Sequence, residues 1–166
     1  MLGILACALA REIAPRLDLG LVAQFALIHD LVEAYAGDTN ALRMMTEKDH
    51  DEKRAREHAA LDRIREEMGE SFPWVHETIE AYESLATPEA RFVKTIDKCL
   101  PGITHALNRG ATLKRERMSR DNHKELCEEH RRRFPATFAH DQSEAMDFWE
   151  AVVATGDGYI EYSEEA

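Results

Sequence analysis

Apolar residues recur at helical spacing from the start of the chain, with Leu2, Leu5 and Leu9 on one stripe. The pattern predicts a helix over residues 2–14, stopped near Pro15 because proline cannot continue the hydrogen-bond ladder. Asp18 then reads as the N-cap of a second helix that runs to Tyr35 or Ala36, with Gly37 as its stop. A loop from Asp38 to Thr46 leads into Glu47–Met68, densely charged with widely spaced apolar positions, which describes a long and mostly solvated helix ended by Gly69.

Ser71-Phe-Pro-Trp opens a shorter helix to about Leu85. Thr87-Pro88-Glu89 places a capping threonine before a proline at the first helical position, and predicts a helix through Asp97. Pro101-Gly102 is expected to bend or break the chain before a segment Ile103–Asn108. Two further helices are expected over Ser119–Phe134 and Asp141–Thr155, with a frayed tail over residues 156–166. No β-alternation of useful length and no internal repeat interrupts this all-α reading, and the simplest organisation is one helical domain over residues 1–155.

The second predicted helix contains an anomaly, the stretch Phe25-Ala-Leu-Ile-His-Asp-Leu-Val-Glu-Ala-Tyr-Ala-Gly-Asp38. His29 and Asp30 stand in otherwise buried text, and on a continuous helix Glu33 would share a face with both. A buried carboxylate without a partner costs several kcal/mol, so a cation is one way to hold such a group ionised. The competing reading is a satisfied core histidine beside a surface aspartate. His140-Asp141 provides an internal contrast: it falls at a predicted helix start, where Asp141 can act as an N-cap, and the structural reading is kept for it.

Composition narrows the possibilities. The chain has 166 residues, 44% of them hydrophobic and 32% charged, with 8 Gly and 5 Pro, which suits a compact helical protein. Its 32 acidic and 21 basic residues give a formal charge of −11, opposed to duplex nucleic acid and to an anionic membrane. The three cysteines, Cys7, Cys99 and Cys127, form no C-x-x-C pair, and a reducing cytoplasm is the expected setting. Met1-Leu-Gly-Ile-Leu-Ala-Cys-Ala-Leu-Ala has the flavour of a signal or lipoprotein segment, but no basic region precedes it and helical text continues through Arg11-Glu12-Ile13. It is read as a core helix that starts abruptly. No apolar run is expected to approach the roughly 18 residues of a membrane span.

Asp97 interrupts a second apolar helix far downstream, in Thr87-Pro-Glu-Ala-Arg-Phe-Val-Lys-Thr-Ile-Asp-Lys98. Together with the His29-Asp30 stretch, this text resembles the HD-domain metal-dependent phosphohydrolases, in particular the branch containing the 5'-deoxynucleotidases. The resemblance covers most of residues 2–110 and implies an HD-domain helical bundle. It implies a divalent metal ion held by His29, Asp30 and Asp97, with Mn, Co, Ni, Zn and Mg not distinguished. It further implies catalytic or positioning roles for Glu33 and Asp38, and a small phosphorylated substrate, most simply a 5'-deoxynucleoside monophosphate. A homodimer is implied as well. Lys94, one turn before Asp97, is a candidate for a phosphate oxygen, with a solvated lysine as the alternative.

The family pattern also includes a histidine on the helix before the doublet, and no His precedes His29 in this chain. Two expectations follow, a start placed too far downstream or a three-ligand variant. A degenerate HD domain that binds a nucleotide or a partner without turnover is the alternative function. Glu47-x-x-His50 has the spacing of half a di-iron motif, but its second half is missing. His58, His76, His105, His123 and His130 are expected to be solvated rather than liganded.

Overall fold

The computed structural model describes residues 1–38, 42 and 46–162. Ten helices and no strand run through these residues: α1 Leu2–Ile13, α2 Leu19–Ile28, α3 Glu33–Ala36, α4 Glu47–Met68, α5 Pro73–Glu83, α6 Pro88–Asp97, α7 Leu100–Leu107, α8 Ala111–Arg115, α9 Arg120–Thr137 and α10 Ser143–Tyr159. They gather into two compact units, Met1 with residues 3–93, and Leu2 with the residues from 94 onward. The division falls inside α6, which is continuous across it.

In the first unit α2 packs on α5, α5 on α4, and α4 on α3. Phe25 and Tyr82 meet with ring centroids 5.8 Å apart, and Val22, Ile64, Val75 and Ile79 are buried in the same unit. The charged helix α4 buries only Ala60 and Ile64, as its sparse apolar spacing predicts, and starts in a capping box in which Thr46 and Asp49 satisfy each other's amides. Most of the loop expected between Asp38 and Thr46 lies outside the described residues.

In the second unit α7 packs on α10 and α8, and Phe134 of α9 meets Trp149 of α10 edge-on at 5.7 Å. Pro101 does not break a helix: it sits in the first turn of α7, where its missing amide has no partner to lose, and the chain turns at Lys98-Cys99 instead. Gln142, not Asp141, is the N-cap of α10. The tail expected to fray from Gly156 is helical to Tyr159, because Gly156 and Ile160 are buried and Lys114 pairs with Glu161 at 2.8 Å.

The largest departure lies in the second predicted helix, which is split at residues 29–32 into α2 and α3. Residues Leu19–Ala36 nonetheless reach a mean hydropathy of 1.3 over 18 residues, enough by length and composition to cross a membrane, contrary to expectation. Leucine, valine and alanine dominate that average and mask His29, Asp30 and Glu33. Placing one ionised residue mid-bilayer costs about 2.5–3.5 kcal/mol, so the segment is a poor span.

Candidate metal centre

The starts of α2 and α6 are fixed by short polar contacts. Asp18 caps α2 by accepting from the Leu21 amide at 3.1 Å, while its own amide donates to Glu89 Oε1, also at 3.1 Å. Glu89 is buried and lies in the first turn of α6. Thr87 caps α6 through the Ala90 amide at 3.2 Å. The Arg91 guanidinium donates back to the carbonyls of Leu85 and Ala86, at 2.7 and 2.9 Å. Beyond this start, Ala90, Phe92, Val93 and Ile96 are fully buried, which sets the rotation of α6 about its axis.

At the far end of α2, the Nδ1 of His29 lies 2.9 Å from the carbonyl oxygen of Ala26. A continuing α-helix would offer that carbonyl to the amide of Asp30. The chain tightens here, with the Leu31 amide on the Ile28 carbonyl and the Glu33 amide on the Asp30 carbonyl, both at 3.0 Å. A histidine at this place can therefore end the helix and aim its other nitrogen outward in one arrangement.

That other nitrogen, Nε2, is 2.7 Å from Asp30 Oδ2. With the proton on Nδ1, both atoms carry lone pairs, and two acceptors at this separation call for a proton or a cation between them. The His29 side chain is 15% exposed and that of Asp30 61%. Asp97, the last residue of α6, has a side chain 19% exposed, and Lys98 Nζ approaches its Oδ2 at 2.7 Å. One donor atom each from His29, Asp30 and Asp97 lie within 4.8 Å of one another. Ligands at about 2.1 Å around one ion stand roughly 3–4 Å apart.

The same arrangement does not arise at His140-Asp141, where Nε2 and Oδ1 are 4.0 Å apart and both residues are exposed. Dipeptide identity alone therefore decides nothing; the helix end and the second acid distinguish the two pairs.

Residues 1–138 match the family model described as the HD domain. This chain belongs to the HD-domain family. HD domains bind divalent metals and are typically metal-dependent hydrolases. No curated protein matches the chain, and no solved structure matches it.

The remaining sequence candidates of this HD domain are positioned by their own elements. Glu33 opens α3 and is half-buried, tied to Asp30 through its amide rather than by sharing one helix with it. Lys94 is half-buried one turn before Asp97. Asp38 is exposed and follows Gly37, whose φ of 78° is a left-handed turn favouring glycine. The Ala26 carbonyl and Lys98 were not singled out from the sequence. A backbone acceptor has no sequence signal, whereas the adjacency of Lys98 to Asp97 did offer one.

Of the histidines expected to be solvated, His105 is buried, whereas His76, His123 and His130 are half-buried and His58 is exposed. Burial lowers the pKa of His105 and of His123. His130 stacks on Phe134, with centroids 4.8 Å apart, and burial takes it down to about 4. His123 and His130 lie on the charge-rich helix α9, which hid its apolar face, whereas α7, which carries His105, has no acidic, lysine or arginine residue.

Proposed function

We propose that the chain is a metal-dependent phosphohydrolase acting on a small nucleotide-like phosphate monoester, most simply a 5'-deoxynucleoside monophosphate. The observation that carries this reading is the convergence of three donor atoms, from the end of α2 and the end of α6, within 4.8 Å of one another in an HD domain. One imidazole and two carboxylates fit a divalent cation of borderline or hard character, and their charge offsets that of the ion.

His29, Asp30 and Asp97 would hold the cation, which when bound supplies Lewis-acid activation of water and of the phosphoryl group. The Ala26 carbonyl orients the His29 ring, and Lys98 restrains one oxygen of Asp97. Glu33, beside the doublet in the chain, takes the proton of the attacking water and returns one to the leaving oxygen. Lys94 offers its ammonium to a phosphate oxygen, and Asp38, exposed at the turn after α3, accepts hydrogen bonds from water or from the sugar.

The test is release of inorganic phosphate from a panel of nucleoside monophosphates, ribo- and deoxyribo-, in the presence of manganese, cobalt, nickel, zinc or magnesium. Turnover of a 5'-deoxynucleotide that chelator abolishes supports the reading. Stoichiometric nucleotide binding without phosphate release under all five metals would replace it with a binding domain.

A further inference from the structure

Apart from the His29 cluster, the second unit brings together side chains of different chemistry. His105 of α7 is only 5% exposed, and neither of its ring nitrogens has a hydrogen-bond partner. Leaving a buried polar group unsatisfied costs about 1–3 kcal/mol, so such a ring calls for a ligand. It meets His123 of α9 edge-on, with centroids 5.9 Å apart. One turn along α9, Cys127 Sγ lies 3.9 Å from His123 Nε2. His123 Nδ1 is 2.7 Å from the hydroxyl oxygen of Tyr162.

We propose that His105, His123 and Cys127 form a second metal site, for a thiophilic cation of the zinc class. With Nδ1–H donating to the Tyr162 oxygen, the Nε2 lone pair of His123 faces Cys127, as a ligating histidine requires. A tetrahedral ion with nitrogen at about 2.0–2.1 Å and sulfur at about 2.3 Å holds those two atoms about 3.6 Å apart, so the observed 3.9 Å is close to ligand separation. Among the described residues only the His29 cluster already has three donors within 4.8 Å of one another, so the third donor here requires the His105 ring to rotate toward the pair. Burial lowers the pKa of both imidazoles, which favours the neutral form that can ligate.

Binding displaces the Cys127 proton to solvent and leaves a thiolate on the ion. Burial opposes that thiolate in the free protein, and the carboxylates of Glu150 and Asp157 oppose it further while Arg131 favours it. Those two carboxylates favour a bound cation. Arg120, which pairs with Asp157 at 3.2 Å and lies over the Tyr162 ring, opposes it. The nitrogen and sulfur set differs from the carboxylate-rich His29 cluster, so the two sites differ in metal preference.

Cobalt(II) titration of the full chain tests this, because only a cobalt–thiolate bond gives an intense near-ultraviolet charge-transfer band. The carboxylate and imidazole cluster at His29 has no sulfur and is silent in that band. The expected result is a band that saturates near one equivalent, bleaches on adding zinc, disappears in Cys127→Ser and persists in Cys7→Ser. His105→Asn is expected to weaken cobalt binding by about tenfold or more. Absence of the band in the wild type overturns the proposal, as does a band that survives Cys127→Ser. An affinity unchanged in His105→Asn equally overturns it, and that variant decides the matter if Cys127→Ser does not fold.

Discussion

The Nδ1 of His29 sits 2.9 Å from the carbonyl of Ala26, three residues back in the same helix. One contact thereby ends α2, fixes the ring and leaves Nε2 toward Asp30. The expected tautomer of neutral His29 is Nδ1–H, and long-range proton–nitrogen NMR at alkaline pH reads it directly. A pyrrole-type Nε2 would contradict the arrangement.

Removing one donor should remove the metal. Asp97→Asn and His29→Ala are each expected to lower affinity for divalent metal at the His29 cluster by at least about tenfold, with the fold retained by circular dichroism. Elemental analysis after dialysis against chelator checks this. Because Asp30 is the most exposed of the three, Asp30→Asn should disturb stability least while losing metal to a similar degree.

Glu33 is assigned to proton movement and not to ligation. Glu33→Gln should therefore retain the metal and reduce turnover of a 5'-deoxynucleoside monophosphate by about 10²–10⁴. Phosphate release and metal content measured on one preparation separate the two effects, and equal activity in both proteins would remove Glu33 from the mechanism.

The buried face of α6 is expected to dominate stability. Phe92 is fully buried, and Phe92→Ala should cost about 3–5 kcal/mol. Urea unfolding of the metal-free protein measures it. Phe72, which is exposed, should lose less than about 1 kcal/mol on the same change.

His130 predicts a pH dependence. Its folded-state value lies near 4 against 6.5 for an unperturbed imidazole, so between these limits the unfolded chain binds a proton that the folded chain refuses. Stability is then fullest above about pH 6.5 and falls as the pH drops toward 4, by on the order of 1–3 kcal/mol from this group. In His130→Phe, which keeps an aromatic ring against Phe134, the urea midpoint should fall less steeply over that window.

Helices whose apolar spacing and caps agree were legible in the sequence: α4 matches its expected bounds, and α6 starts at the Thr87-Pro88 signal. The break at His29 was not, because every residue from Phe25 to Ala36 is compatible with helix and the competing bond comes from a side chain to a carbonyl. Pro101 misled in the opposite direction, since a proline that looks like a breaker is equally at home in a first turn. The His29-Asp30 doublet stood out from its apolar setting, whereas Asp97 entered as a ligand only through the resemblance to the HD-domain proteins. The burial of His105 and the partial burial of His123 and His130 were not legible, because they depend on which face of a helix its neighbour covers.

The helices α2 and α6 each have 10 residues, are joined at their starts by the Asp18–Glu89 bond, and end at the donors that converge. Matched length makes the cluster a matter of register. Inserting or deleting a single residue within either helix moves its end by about 1.5 Å and turns it by roughly 100°, which carries one donor away from the others even if every side chain is kept. A one-residue change of length within either helix is therefore expected to weaken metal binding more than a substitution on its exposed face.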